Sequence, residues 1–124
     1  MSHLRGNVHD LITDQGSTVH QVFSIKNSAR RVIPLTGYTS RMQVRRWDIE
    51  SRDPAPIVIA EYTTENGYLE VHGAAGNVTL LIPPTDMAAY EPGSYVYDIE
   101  VESPAGETTR IIQGKFIVRA EVTK

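Results

Sequence analysis

Three acidic residues in one short segment have the type and spacing for chemistry: Asp98, Glu100 and Glu102 alternate along the chain. Two carboxylates that face one substrate are the catalytic pair of most glycoside hydrolases. The residues between these acids are apolar, however, and such alternation is typical of the solvent-facing side of a half-buried strand. We therefore expect a solvated strand face, and an enzyme that uses Asp98 and Glu100 is the minor alternative.

Metal and nucleophile motifs give no complete site. Glu70 and His72 would share a strand face, but two ligands are fewer than a protein zinc site uses. The other histidines, His3, His9 and His20, lie on separate segments. The chain has no cysteine and no Gly-x-Ser-x-Gly elbow for a serine nucleophile. The sequence therefore predicts no catalytic residue, no metal and no cofactor.

An aromatic and basic cluster is the strongest candidate for binding. In the segment 39–47, Arg41, Arg45 and Trp47 fall on one face of a predicted strand, and Arg46 lies beside them at its end. Arg and Trp are enriched among the residues that dominate protein interfaces. We predict a protein interface at these four residues; an exposed strand face without a partner is the alternative.

Charge and hydropathy exclude other partners. Twelve basic and fifteen acidic residues give a net charge of −3, which provides no overall field to attract a nucleic acid backbone. No apolar stretch approaches the roughly 20 residues of a membrane helix, and the first residues lack the apolar core of a signal peptide. The absence of cysteine fits folding in a reducing cytoplasm. We expect a soluble protein without nucleic acid or membrane partners.

The elements that must position these side chains are strands. Apolar residues recur with a period of two, and nine glycines and seven prolines are spread along the 124 residues. This pattern predicts an all-β domain of about seven to nine strands, with one short helical turn near residues 85–91, where Thr85 would be the cap. We expect residues 1–12 to form an N-terminal arm or weak first strand and residues 13–124 to form the β-sandwich domain.

Turn residues predict three local features. The two prolines of the segment 53–56 indicate a surface loop, because proline disrupts central strand pairing. The pair Asn66-Gly67 predicts a β-hairpin turn. Gly114, inside the last predicted strand, indicates a bulge or a close approach of another backbone segment.

The segment 83–101 predicts the kind of sandwich. It combines a helical turn that contains Asp86, a Pro-Gly turn at Gly93, and a strand in which Tyr95 and Tyr97 alternate with other residues. Immunoglobulin-like sandwiches enter their penultimate strand through a corner that a tyrosine hydroxyl anchors. We therefore predict an immunoglobulin-like antiparallel β-sandwich, with Asp86 as a helix cap and Tyr95 or Tyr97 as the anchor of the corner.

Four segments carry a resemblance to a known group of proteins. Residues 35–45, 63–67, 92–101 and 110–118, in this order and spacing, resemble small β-sandwich proteins encoded among the structural genes of tailed bacteriophages. The chain is also similar to the N-terminal sandwich modules of phage baseplate and receptor-binding proteins. The resemblance extends from Thr18 to Lys124, and residues 1–12 have no counterpart in it.

The resemblance implies a virion structural protein without enzymatic activity, made in the host bacterial cytoplasm. Its partners would be other phage structural proteins of the tail, baseplate or neck, around which several symmetric copies assemble. A capsid decoration (cement) protein is the alternative within this class. An alternative of another class is a carbohydrate-binding module, which would hold a host glycan against Trp47 or Tyr62.

Overall fold

Two facing β-sheets make up the fold in a computed structural model that describes residues 7–27, 29–48, 50 and 52–121. The described part contains nine strands and one short helix: β1 Asn7–Val8, β2 Leu11–Asp14, β3 Val19–Ser24, β4 Thr39–Asp48, β5 Asp53–Thr63, β6 Leu69–His72, β7 Asn77–Ile82, α1 Pro84–Ala88, β8 Gly93–Glu102 and β9 Thr108–Arg119. This confirms the all-β prediction. Within these residues, no helix is long and apolar enough to span a membrane.

The strand order is that of an immunoglobulin-like sandwich. The larger sheet has the order β1-β9-β8-β4-β5, with β2 also paired to β9, and the smaller sheet has the order β3-β7-β6. In immunoglobulin domains, strands C, F and G form one sheet, extended by C′ in the variable type, and strands B, E and D lie in the other. Here β4, β8 and β9 take the places of C, F and G, β5 that of C′, and β3, β7 and β6 those of B, E and D. The immunoglobulin-like prediction is therefore confirmed.

The N-terminal strands depart from the predicted antiparallel pattern. Both β1 and β2 pair with β9 in parallel, with Asn7 opposite Ile112 and Leu11 opposite Phe116. Between the two short strands the backbone passes directly over Gly114, where an added Cβ would lie 2.7 Å from the carbonyl carbon of His9. The close approach predicted for this glycine is thus confirmed.

This arrangement bears on the predicted N-terminal arm. The boundary expected between residues 12 and 13 falls inside β2, and Leu11 belongs to the buried core. Residues 1–6 of the arm lie outside the described residues.

Alternation along the strands builds the core between the sheets. On β4, Ser40, Met42 and Val44 are buried while their neighbours face outwards, as the period of two predicts. Met87 is also fully buried, so α1 closes one end of the sandwich. The core is apolar and continuous, and its fully buried members include Leu35, Leu80, Ile82, Ile99, Ile111 and Phe116.

The corner before β8 depends on one tyrosine. The Tyr95 hydroxyl donates a hydrogen bond of 2.6 Å to the carbonyl oxygen of Glu91, four residues upstream. The Tyr97 hydroxyl donates instead to the carbonyl oxygen of His9. Tyr97 stands two residues after the corner tyrosine, where antibody domains have their second disulfide cysteine. Gly93 opens the strand at φ +154°, a backbone conformation that other residues rarely adopt.

Asp86 does not have the capping role that was expected. The N-cap of α1 is Pro83, and no side chain caps the helix. Neither Thr85 nor Asp86 caps, because Pro83 and Pro84 begin the helix before them and proline suits this first position. The Asp86 carboxylate accepts a hydrogen bond from the Tyr68 hydroxyl instead.

Two turn predictions are wrong because each depends on which strands lie side by side in the sheets. The prolines of residues 53–56 lie within β5 rather than in a loop, since β5 is an edge strand and can lack a donor on one side. Asn66-Gly67 makes a turn between β5 and β6, which lie in different sheets. The Asn66 side chain accepts the backbone N–H of Thr63 at 2.8 Å, so the turn forms without a hairpin.

Candidate protein interface on the larger sheet

The outer face of the larger sheet brings together three of the four predicted interface residues. Arg41, Arg45 and Trp47 project from the outer face of β4, opposite the buried Met42 and Val44. Arg45 and Trp47 line an open depression of about 550 Å³, and Arg41 lies next to it along the strand. The remaining walls come from Gln43 of β4, from Val8 of β1, and from residues of β8 and β9 that include Val96, Asp98, Arg110 and Gln113.

Arg46 lies on the other side of the sheet. Its guanidinium carbon stands 5.1 Å from the centre of the Tyr95 ring, and its Nη2 atom is 2.6 Å from the Glu91 carboxylate. Both contacts attach Arg46 to the corner rather than to the depression. Adjacent residues of a strand point to opposite faces, so Arg45 and Arg46 do not share a surface.

The charge of this outer face depends on acidic residues of β8 and a basic residue of β9 as well as on the arginines of β4. Arg41 pairs with Glu100 at 3.4 Å, and Arg110 of β9 pairs with Asp98 at 3.4 Å. Burial raises the pKa of Asp98, and the attraction of Arg110 opposes that shift only in part. The outer face therefore carries paired acidic and basic side chains around Trp47, whereas the sequence of β4 by itself predicts a basic surface.

Exposed apolar side chains also flank the free edge of the sheet, on both of its faces, because consecutive residues of β5 alternate between the faces. Among the described strands, β5 pairs with β4 alone, so its outer edge carries no partner strand. Ile57, Val58 and Ile59 on β5 are 72%, 37% and 43% exposed, and Trp47 is 41% exposed. A long apolar edge strand is a template for pairing with another chain. We call Trp47 together with these three residues the β5 edge patch.

Sequence reasoning missed this patch although a signal for it existed. The apolar residues of the segment 57–62 predict a strand, but they do not show that this strand lies at the end of a sheet. Pro54 and Pro56 were that signal, since proline in a strand is confined to edges and bulges. An apolar run directly after two prolines therefore indicates an exposed edge.

The other candidate residues that the structure describes are not gathered into a chemical site. Glu70 and His72 lie 3.8 Å apart on β6, and no three His, Cys, Asp or Glu residues in the described ranges could hold a metal ion together. His9 packs against Phe23 with its ring, and His3 lies outside the described residues. Tyr62 is only 5% exposed, so it offers no open ring to a glycan.

Comparison with known proteins finds solved structures that are similar to this chain. The sequence matches no protein-family profile and no curated protein. Murine CRIg is similar in structure, with 16% identity and a TM-score of 0.39 over 90% of this chain and 92% of that chain. Extracellular domains 3–5 of Drosophila OTK are similar with 12% identity and a TM-score of 0.33, over 94% of this chain and 33% of that one.

The chain thus spans a third of the length of the OTK fragment. Strand order and the tyrosine corner define the class of protein, which is an immunoglobulin-like β-sandwich.

Proposed function

We propose that this chain is a non-enzymatic structural protein of a tailed bacteriophage particle, placed in the tail, baseplate or neck. The observation that carries the proposal is the β5 edge patch, which combines an unpaired strand edge with exposed apolar side chains. The resemblance of four sequence segments to phage sandwich proteins supports the particle as the setting. A decoration protein of the capsid would use the same patch.

The β5 edge patch can hold a subunit in place without a large interface. Burying a fully exposed Ile, Val or Leu side chain contributes about 1.5–3 kcal/mol, half-buried ones such as Val58 and Ile59 contribute less, and the free backbone groups of β5 add hydrogen bonds. The patch has three such side chains and a tryptophan. In a symmetric particle many copies bind at once, so contacts that are weak singly become durable together.

Incorporation into particles tests the proposal through a matched pair of variants. Val58→Lys places a charge in the β5 edge patch, and Val22→Lys places the same charge on β3 of the smaller sheet, where Val22 is 48% exposed. We expect Val58→Lys to be at least tenfold depleted from purified particles made in host bacteria that carry the variant gene. Val22→Lys should incorporate normally, and both variants should melt within a few degrees of the wild type, because surface substitutions cost little.

Two results would contradict the proposal. Normal incorporation of Val58→Lys would show that the β5 edge is free in the particle. Equal loss of both variants would show that the charge acts on folding or solubility rather than on one interface.

A carbohydrate-binding module is the second candidate, and one observation favours it. Trp47, the single tryptophan of the chain, lies in a depression that also exposes polar groups such as Asp98 and Gln113. Ring stacking beside hydrogen-bonding groups suits a sugar. Because there is one tryptophan, the fluorescence reports on the surroundings of Trp47 alone. A saturable change with host polysaccharide, abolished in Asp98→Asn, would favour this candidate, and an unchanged spectrum would reject it.

A further inference from the structure

A second open groove, of about 560 Å³, lies on the opposite side of β4 and β5 from the depression. It runs between the edge of the larger sheet and α1, and its lining includes Ile59, Ala60, Tyr62, Tyr68, Asp86 and Ala89. Ile59 also belongs to the β5 edge patch, so the groove and the patch meet along one edge. A partner strand placed on β5 would pass directly in front of the groove.

Three carboxylates line the groove, those of Glu61, Asp86 and Glu91, against one cation, Arg46, so the groove carries an excess of negative charge. Asp86 is half-buried and accepts a hydrogen bond from Tyr68, but no Lys or Arg among the described residues forms an ion pair with it. The groove's own cation, Arg46, is paired with Glu91. A half-buried carboxylate without a cationic partner favours a cation from outside.

The pKa values of the tyrosines in the groove also respond to the negative charge of Asp86. Burial raises the pKa of Tyr62 and Tyr90, and the charge of Asp86 adds a smaller increase to both, whereas the hydrogen bond to Asp86 is the main cause of the raised pKa of Tyr68. The positive charge of Arg46 acts on the pKa of Tyr95 alone among these rings. The groove therefore has a neutralised end at Arg46 and a negative end at Asp86.

We propose that this groove binds a lysine or arginine side chain of a partner protein, with the cation at Asp86 and the aliphatic stem against Ile59 and Ala89. Long basic side chains bury their methylene groups along apolar surface and keep the charged head at a polar site. Ile59 and Ala89 are exposed and Asp86 is half-buried. A side chain that enters the groove from outside would therefore place its stem against the two apolar residues and its charged head at the Asp86 carboxylate. A carboxylate also makes stronger hydrogen bonds to a cation than to a neutral hydroxyl.

The inference deepens the proposed function, since the partner that covers the β5 edge patch would supply the basic side chain. It predicts a partner segment with Lys or Arg beside a stretch that pairs with β5. A neutral sugar in the same groove would leave the charge of Asp86 unbalanced, so we make that ligand an outcome of the test.

Nuclear magnetic resonance titration of the isolated protein tests the groove directly. The probes are N-acetyl-lysine methylamide, its neutral counterpart N-acetyl-norleucine methylamide, and glucose. We expect the lysine probe to shift the amide signals of the segment 85–91 and those of Tyr68, and the norleucine probe to bind about tenfold more weakly, the factor that one charged hydrogen bond provides. Raising the salt concentration should weaken the lysine probe alone, because salt screens charge.

Two variants with matched burial separate the charge from the fold. Asp86→Asn removes the charge and still accepts the Tyr68 hydroxyl, so we expect it to stay folded and to lose about tenfold in affinity for the lysine probe. Asp98→Asn makes the same change at a half-buried acid on the other face and should bind the probe normally.

Several outcomes would overturn the inference. They are shifts of equal size with the norleucine probe, preference for glucose, unchanged lysine binding in Asp86→Asn, and no shift with the lysine probe at all. None of these depends on particle assembly. A groove that fails this titration while Val58→Lys still blocks incorporation would refute the cation site and leave the proposed function standing.

Discussion

Gly114→Ala gives the sharpest test of how the N-terminal segment is attached. The added methyl group would lie 2.7 Å from the carbonyl carbon of His9, and closer still to its oxygen, whereas carbon atoms in contact stand about 3.5–4.0 Å apart. The two nearest atoms it meets belong to the His9 backbone, which cannot rotate away. The segment at residues 9–10 must therefore lift from β9 by about 1 Å or more.

Lifting that segment removes identifiable hydrogen bonds. The N–H of His9 donates to the Gln113 carbonyl at 2.9 Å, the N–H of Lys115 donates to Asp10 Oδ1 at 2.9 Å, and the Tyr97 hydroxyl donates to the His9 carbonyl. At about 0.5–1.5 kcal/mol for each bond, we expect the substitution to lower the free energy of unfolding by about 2–4 kcal/mol.

Urea denaturation measures this loss, and a truncated chain supplies the control. A chain that begins at Leu11 keeps β2 but lacks His9, so the clash is absent in it. Gly114→Ala should then cost less than about 1 kcal/mol, since alanine is at least as well suited to a strand as glycine. An equal cost in both chains would refute the reasoning, because the strain would arise within β9 and not from the segment above it.

Three further predictions concern hydroxyl and carboxyl groups. Tyr95→Phe removes the hydrogen bond to Glu91 and should lower the free energy of unfolding by about 1 kcal/mol in urea; no change would mean that the corner does not depend on it. Asp98→Asn should stabilise the protein near neutral pH: the folded pKa is raised above 3.8, so the stability linked to its neutral form is complete below pH 3.8 and is lost as the pH rises through the folded pKa. The advantage of the variant should disappear in acid, and an advantage independent of pH would contradict this. Burial raises the pKa of Tyr90 and Tyr97 above 10.0, so the stability they contribute is complete below pH 10.0 and is lost at higher pH. Ultraviolet titration should show both phenols ionising only as the protein unfolds, and ionisation of either near pH 10.0 in the folded protein would refute the burial argument.

The alternation of side chains was predictable because it is local. The period of two along β4 and β8 placed Met42, Val44, Tyr97 and Ile99 inward, and the structure buries all four. Gly114 was predictable for a similar reason, since a glycine inside a strand indicates an approach that a side chain would block.

Features that depend on which strands are neighbours were not predictable in this way. Asn66-Gly67 has the chemistry of a hairpin turn, but pairing with β4 and β7 places the strands on its two sides in different sheets. The arginines of β4 seemed to form a basic surface until the register placed Glu100 opposite Arg41. The exposure of Ile57 depends on the position of β5 at the end of the sheet, and Pro54 and Pro56 are compatible with such an edge but also with a surface loop.

The parallel pairing of β2 with β9 has a mechanical consequence. Asn7 lies beside Ile112 and Asp14 beside Arg119, so the chain enters at one end of this strand pair and leaves at the other. Tension applied through the two ends pulls the strands past each other and strains all their hydrogen bonds at once, instead of opening them one after another. A domain built in this way should resist stretching along the direction of this strand pair.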